Sequence, residues 1–254
     1  MSGIVTRREG AVLHIVMASP PVNAFTVDFL EALRDAVRSA GPDVGAVVLS
    51  SSVDRIFAAG GDLRFMAGAD ERTSDRYVRL CQETYSAFED PRFVSIAAID
   101  GACLGGGLEA ALGFDVRVAS PASRLGLPEV TLGILAGGGA IHRIVRAVGQ
   151  SVARDLLLTG EPVSATQAHD WGLVTRIADD PLAEATRIAG RVAALSPEAI
   201  AATKELALAS TTDDLAVGLD DEHASWLEVR RRDNAQEGLT AFAERRSPRF
   251  ARPA

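Results

Sequence analysis

Lysine is all but missing from this chain. Lys204 is the only one, so arginine carries nearly all the positive charge. This fits a bias of coding composition, and it leaves any phosphate to be held by guanidinium groups, whose forked donors suit it. Positive charge is in short supply overall: the net charge is −8. That balance argues against a nucleic-acid binder, which is more often basic with clustered Lys and Arg, and against an anionic membrane surface. Cysteine is scarce too. Cys81 and Cys103 make neither a metal spacing nor a disulfide framework, which points to a reducing cytoplasm. Cys103 lies in an apolar run and reads as a small core residue; as a nucleophile it would need a histidine partner that the sequence does not offer. The four histidines, His14, His142, His169 and His223, lie far apart with no ligand spacing, so no metal site is expected. The stretch Met1 to Gly10 has no apolar centre of the secretory kind. The longest apolar stretch, Val94 to Leu112, is broken by Asp100, Glu109 and several glycines and is not a membrane span. There is no internal repeat and no low-complexity linker.

What remains is a soluble globular composition. The 254 residues are 47% apolar and 24% charged, enough for one large domain or a core with a small appendage. Val12 to Met17 reads as a first strand, stopped by Ser19-Pro20-Pro21. Asp28 to Val37 places Phe29, Leu30, Leu33 and Val37 at helical spacing, and Gly41-Pro42 ends that helix. Val44 to Leu49 is continuously apolar, as befits a strand buried on both faces. A turn over 50–55 and a glycine-containing loop over 57–62 follow. Residues 70–90 read as a polar, surface-lying helix. Phe93 to Ile99 is another buried strand, Leu108 to Leu112 a helix, and Asp115 to Ala119 a further strand. From about Ile141 helices dominate, with segments over 147–158, 183–194, 197–210 and 213–232. The order predicts an α/β core, carrying the site over residues 1–195. A helical region over 196–254 packs on that core or reaches a neighbouring subunit.

Two glycine-rich turns each follow a predicted buried strand. Gly60-Gly61 comes after the strand at 44–49, and Gly105-Gly106-Gly107 comes after the strand at 93–99 and opens a helix. Absence of a Cβ lets backbone approach a ligand closely, and a helix N-terminus presents unpaired N–H groups. Two such N–H groups aimed at one oxygen make an oxyanion hole. Tight turns without a ligand are the plainer alternative. A dinucleotide fingerprint is another, because Gly105 to Ala110 satisfies G-x-G-x-x-A with Glu129 about 20 residues on. However, that acid should end a second strand, and here Ser120-Pro121 has already broken the strand and Pro128 precedes the glutamate.

Glu109 falls in the first turn of the helix after the glycines, where the dipole favours a carboxylate. Its neighbours Leu108 and Ala110 to Leu112 are apolar, so the helix should be buried. A buried carboxylate is costly without partners or a task. Glu129 lies in an equally apolar segment, 126–134. Two carboxylates in unlike surroundings near one site can divide acid and base roles.

These residues resemble those of the enoyl-CoA hydratase/isomerase family, the crotonases, over nearly the whole chain, from about Val12 to Phe250. Asn23-Ala24-Phe25 is similar to the family's N-A-L. Phe57-Ala58-Ala59-Gly60-Gly61-Asp62-Leu63 resembles F-x-A-G-A-D-[LI]. Gly101 to Glu109 resembles G-x-x-x-G-G-G-x-E, and Pro128-Glu129 to Gly133 resembles P-E-x-x-[LI]-G. Trp171-Gly172-Leu173-Val174 and Glu237 to Phe242 resemble the later G-L-V and E-G-x-x-A-F segments. Each piece is weak alone, but six in order are specific.

The resemblance implies a crotonase-like spiral of ββα units with a C-terminal α-helical trimerisation region, assembled as a homotrimer or a dimer of trimers. It implies an acyl-CoA substrate and no cofactor beyond the coenzyme A that the substrate carries. By position, the oxyanion donors would be the N–H groups of Gly61 and Gly106, and the catalytic pair Glu109 and Glu129. Substrate contacts would come from Asn23, Ala24, Ala59, Gly61, Asp62, Leu63, Leu104, Gly106, Pro128, Glu129, Leu132 and Gly137. Both glutamates are present, as in the family's hydratases, so the expected reaction is hydration of a trans-2-enoyl-CoA to a 3-hydroxyacyl-CoA. In that reaction Glu109 would activate the water and Glu129 exchange the Cα proton, although the residues leave open which carboxylate takes which role. The alternatives are a double-bond isomerase using the same site and an acyl-CoA binder without turnover.

The chain departs from the family pattern in two places. Gly61 stands where alanine is usual, and Leu135-Ala136 stands where a proline is common before the glycines at 137–139. Arg64, Arg230, Arg231, Arg245 and Arg246 are the candidates for the CoA phosphates, His142 is the histidine nearest the expected site, and Asp62 reads as a loop-fixing cap. Trp171 and Trp226 read as packing residues.

Overall fold

The short β-branched runs form the strands, and their alternation decides which layer each face meets. The structure, a computed structural model, describes residues 3–212 and 214–252. Its elements run β1 (Ile4–Glu9), β2 (Val12–Met17), α1 (Val27–Arg38), β3 (Ala46–Ser51), β4 (Ile56–Ala58), α2 (Leu63–Gly68) and α3 (Glu71–Ser86), then β5 (Val94–Ile99), β6 (Ala102–Leu104), α4 (Gly106–Ala111), β7 (Val116–Ala119) and β8 (Arg124–Gly126). A 3-10 segment, Pro128–Leu132, precedes α5 (Ala140–Thr159), β9 (Val163–Ser164), α6 (Ala165–Asp170), β10 (Arg176–Ile177), α7 (Pro181–Ala193), α8 (Pro197–Ala209), α9 (Leu215–Arg230) and α10 (Asp233–Ala243). Asp213, the expected start of the helix over 213–232, lies outside the described residues, as do residues 1, 2, 253 and 254 at the outer bounds of the two expected regions.

The strands form two sheets, in the orders β1-β2-β3-β5-β7-β10 and β4-β6-β8-β9. β2, β3, β5, β7 and β10 run parallel, as do β4, β6 and β8. Each turn of the chain therefore contributes one strand to the first sheet, one to the second, and then a helix: β3-β4-α2, β5-β6-α4, and β7-β8 leading to α5. Successive side chains on a strand point to opposite faces, and both faces of the first sheet are covered. Leu13, Ile15, Val47, Leu49, Ala97 and Ile99 face the main core with α1 and the second sheet. Val12, Ala46, Val48, Ile96, Ala98 and Val118 face α7 through Ala185, Ile188 and Ala189. This is the parallel, doubly covered arrangement that produces near-continuous apolar strands.

Several elements differ from the expectation, β6 and β8 among them. Ile4–Glu9, within the polar N-terminal stretch, is an edge strand antiparallel to β2; its charges Arg7, Arg8 and Glu9 suit an edge. Ile56–Ala58 pairs with β6 rather than lying in a loop. The helix at 71–86 is not simply surface-lying, because Tyr77, Cys81, Thr84 and Tyr85 form a buried face.

The C-terminal helices are held to the core and to one another by specific polar contacts. Lys204 of α8 is buried; its Nζ donates to Phe88 O at 3.2 Å, Phe93 O at 3.0 Å and Asp115 Oδ2 at 2.8 Å. Asn234 of α10 donates to Glu198 Oε2 and to Ala251 O, each at 2.8 Å. α9 buries none of its residues, and Leu215, Val217, Leu219 and Trp226 are all more than half exposed. Trp226 therefore does not pack within the single chain. No helix among the described residues is long and apolar enough to cross a membrane.

Candidate active site

The spiral brings the ends of β4 and β6 side by side, and with them the two glycine turns. Phe25 N donates to Gly60 O at 2.9 Å. A methyl group on Gly106 would come within 3.5 Å of Gly60 Cα, and one on Gly60 within 3.3 Å of Gly106 N. Gly60 and Gly105 take positive φ, 101° and 52°, which favours glycine. Gly106 is the first residue of α4, so its N–H has no intrahelical acceptor by position.

Above these turns lies a cavity of about 620 Å³, within the range of small-molecule sites. Gly60, Gly61, Gly105 and Gly106 line one wall, Glu109 and Glu129 another, and the apolar remainder comes from α2, α3 and the segment 132–138. Glu109 is only 6% exposed. Its Oε2 accepts from Gly138 N at 2.6 Å and Ala140 N at 3.4 Å. The Gly137–Gly138 peptide is gripped from its other end, where Gln82 Nε2 donates to Gly137 O at 2.8 Å, and a peptide bonded at both ends is polarised cooperatively. Arg143 donates to Gly138 O at 3.1 Å while paired with Glu89 at 2.8 Å. A methyl group on Gly138 would strike the Tyr85 ring and lie 3.0 Å from Glu109 Oε2, so glycine is required there.

Both carboxyls are pushed upward. Burial, and then the neighbouring Glu129 charge, raise Glu109 to about 7 against the pull of its two backbone donors. Burial raises Glu129 as well, and its Oε2 is buried without a hydrogen-bond partner among the described residues. Its Oε1 lies against Gly105, 3.2 Å from where a methyl group there would sit. A pair of cavity carboxyls, both raised by burial, can exchange protons with a bound substrate.

The profile of the enoyl-CoA hydratase/isomerase family matches residues 7–253. The chain belongs to that family. It is 36% identical to a probable enoyl-CoA hydratase of Mycobacterium bovis, with 97% of each chain covered. It is 35% identical to the 2,3-dehydroadipyl-CoA hydratase of Escherichia coli, over 98% of this chain and 99% of the other. The crystal structure of an enoyl-CoA hydratase from Bacillus anthracis superposes with a TM-score of 0.93 at 31% identity, covering 98% of both chains. The two sheets, the three ββα turns and the trailing helices are thus the crotonase fold.

Of the residues that the family resemblance put at the substrate, Ala59, Gly61, Leu63, Gly106, Pro128, Leu132 and Gly137 line the cavity with the two glutamates. Asn23, Ala24, Asp62 and Leu104 do not. Asn23 is buried and works as a loop tie: its Oδ1 accepts from Ser19 N at 2.8 Å, and its Nδ2 donates to Ser51 Oγ at 2.8 Å and Phe57 O at 2.9 Å. Ala24 stands beside that tie, its carbonyl accepting from Thr26 N at 2.9 Å. Asp62 caps α2 by accepting from Arg64 N and Phe65 N. Leu104 ends β6, opposite Gly126. Of the five arginines, Arg64 stands between cavity residues Leu63 and Phe65, while Arg246 is engaged by Glu237 and Glu244. Tyr77, Cys81 and Tyr85 also line the wall; the sequence reading puts the segment Phe65 to Asp90 along the acyl pocket without singling them out. Their i, i+4, i+8 spacing on α3 was the available signal. Cys103 is buried, as a core residue should be, and His142 is exposed.

Proposed function

We propose that this protein is an enoyl-CoA hydratase that adds water across the double bond of a trans-2-enoyl-CoA. The observation that carries the reading is the pair of carboxyls, Glu109 and Glu129, in one cavity facing the two adjoining glycine turns. In this reading the thioester oxygen sits on the N–H groups of Gly61 and Gly106. Drawing electron density toward that oxygen makes Cβ electrophilic. Glu109, charged and held by Gly138, takes a proton from water as the water oxygen bonds to Cβ. Glu129 gives its proton to Cα as the enolate collapses, and one proton then passes between the carboxyls to reset the site. Each donor of this kind lowers the barrier by about 2.7–4 kcal/mol in other enzymes. Every role falls to a group of the chain itself, so the reaction as proposed uses no cofactor besides the coenzyme A of the substrate. The Glu129 oxygen without a partner supports a bound water or substrate as its missing donor.

The exposed apolar side chains of α9 support assembly through the C-terminal helices, and we take the working unit to be a homotrimer or a dimer of trimers. Two free, buried thiols support a reducing compartment, the cytoplasm. The test is loss of the conjugated thioester absorbance of crotonyl-CoA, beside Glu109→Gln and Glu129→Gln. Rapid loss with the wild type and not with the variants is expected. Deuterium from solvent entering C2 and C4 without net hydration would replace the hydratase by an isomerase.

A further inference from the structure

The chain has two tyrosines, and both stand on α3 in the cavity wall, eight residues apart, with Cys81 between them. Each sets its hydroxyl against one of the two glycines of the proposed donor pair. A methyl group on Gly61 would lie 2.7 Å from the Tyr77 hydroxyl oxygen and 3.1 Å from Met66 Cε; one on Gly106 would lie 3.0 Å from the Tyr85 hydroxyl oxygen. Gly61 is not in the left-handed region, so its backbone would accept any residue, and what excludes a side chain there is the phenol. That phenol is tied in place. Tyr77 is 5% exposed, and its hydroxyl donates to Phe25 O at 2.6 Å. Phe25 in turn donates from its own N–H to Gly60 O at 2.9 Å and bridges Gly61 in a parallel pairing. Burial also pushes the phenol above its ordinary range, so it donates throughout the neutral range.

We infer that Tyr77 is a positioning residue for the Gly61 donor. Its hydroxyl fills the space of the absent side chain and, through Phe25, fixes the peptide that carries the Gly61 N–H. The inference rests on the proposed role of that N–H. Gly61 and Tyr77 are then a matched pair, and changing either alone misaligns the donor. This predicts a specific rescue, because the Tyr77 ring carbon bearing the hydroxyl lies 3.7 Å from the position of the added methyl, an ordinary contact once the oxygen is gone.

The experiment compares wild type, Tyr77→Phe, Gly61→Ala and the double variant with two readouts. One is kcat and KM for crotonyl-CoA. The other is the absorbance of a bound para-aminocinnamoyl-CoA, which moves to longer wavelength as its thioester carbonyl is polarised and needs no turnover. Tyr77→Phe should lower kcat about fivefold, the worth of one ordinary hydrogen bond, with KM near wild type. Gly61→Ala should lower kcat about 100-fold through a misplaced donor. The double variant should recover at least about tenfold of that loss, a coupling expected of residues in contact. The red shift should follow the same order. A Gly61→Ala enzyme with wild-type kcat and red shift, or a double variant no better than Gly61→Ala, overturns the pairing. Wild type that leaves crotonyl-CoA unchanged, while the red shift still ranks the variants as stated, removes the hydratase and leaves the positioning role. Wild type that gives no red shift removes the donor site and the inference with it.

Discussion

Glu109 stands on α4, a helix whose six residues are all buried, and its carboxylate accepts two backbone N–H groups. Glu129 stands on a 3-10 segment without a buried residue, and one of its oxygens has no partner among the described residues. Two side chains of one type, in one cavity, are thus held in opposite ways. Backbone donors stabilise the charged form and fix its direction, whereas an oxygen that lacks a donor invites a proton. The difference teaches that a shared cavity does not make carboxyls equivalent. Chemistry that needs one base and one acid finds both because their supports differ.

The sharpest way to break this comparison is to neutralise each group in turn. Glu109→Gln and Glu129→Gln should each lower kcat for crotonyl-CoA by about 10² to 10⁴. A large loss at only one position would make the other structural.

A second expectation concerns stability. Glu109 titrates near 7 in the fold, above its ordinary value of 4.5. The folded state therefore favours the protonated form. That contribution is fully present below about pH 4.5 and is lost as pH rises through about 7, up to about 3 kcal/mol. The stability of Glu109→Gln relative to wild type should accordingly rise over that window in urea titrations, and a difference flat with pH would refute the shift.

Gly138→Ala sharpens the contrast by disturbing the better-held carboxylate. The added methyl has no room beside the Tyr85 ring, so kcat should fall about 100-fold through displacement of Glu109. Measured kcat near wild type would mean that the Gly138 N–H does not set the position of that group. The smallest effect is electrostatic. With Glu109 acting as base, kcat/KM rises with pH through about 7. A kcat/KM that stays flat across that range would take the role of base from Glu109.

Much of the fold was legible because burial writes itself into composition. β3 and β5 are covered on both faces, and their runs Ala46–Leu49 and Ile96–Ile99 are apolar at nearly every position. The short strands β4, β6 and β8 were not legible. Each has three residues, too few for a period, and they exist because the first sheet brings them together. The buried face of α3 was hidden among Arg, Asp, Glu and Gln. At the site, both glutamates could be singled out because a charge amid alanine and leucine asks for a reason. The donor that holds Glu109 could not, since Gly138 lies 29 residues away and only the path of the chain joins them. Asn23 shows the converse: a motif residue that resembles a substrate contact spends its hydrogen bonds on Ser19, Ser51 and Phe57.

Lys204 has a practical consequence. Its amine is the only one on a side chain in the whole sequence, and its three donor positions are taken by Phe88, Phe93 and Asp115. Acylating reagents and aldehyde crosslinkers thus find no lysine foothold on the folded protein. The foothold appears only when α8 lifts from the core, so the rate at which one amine is labelled counts how often that helix lets go.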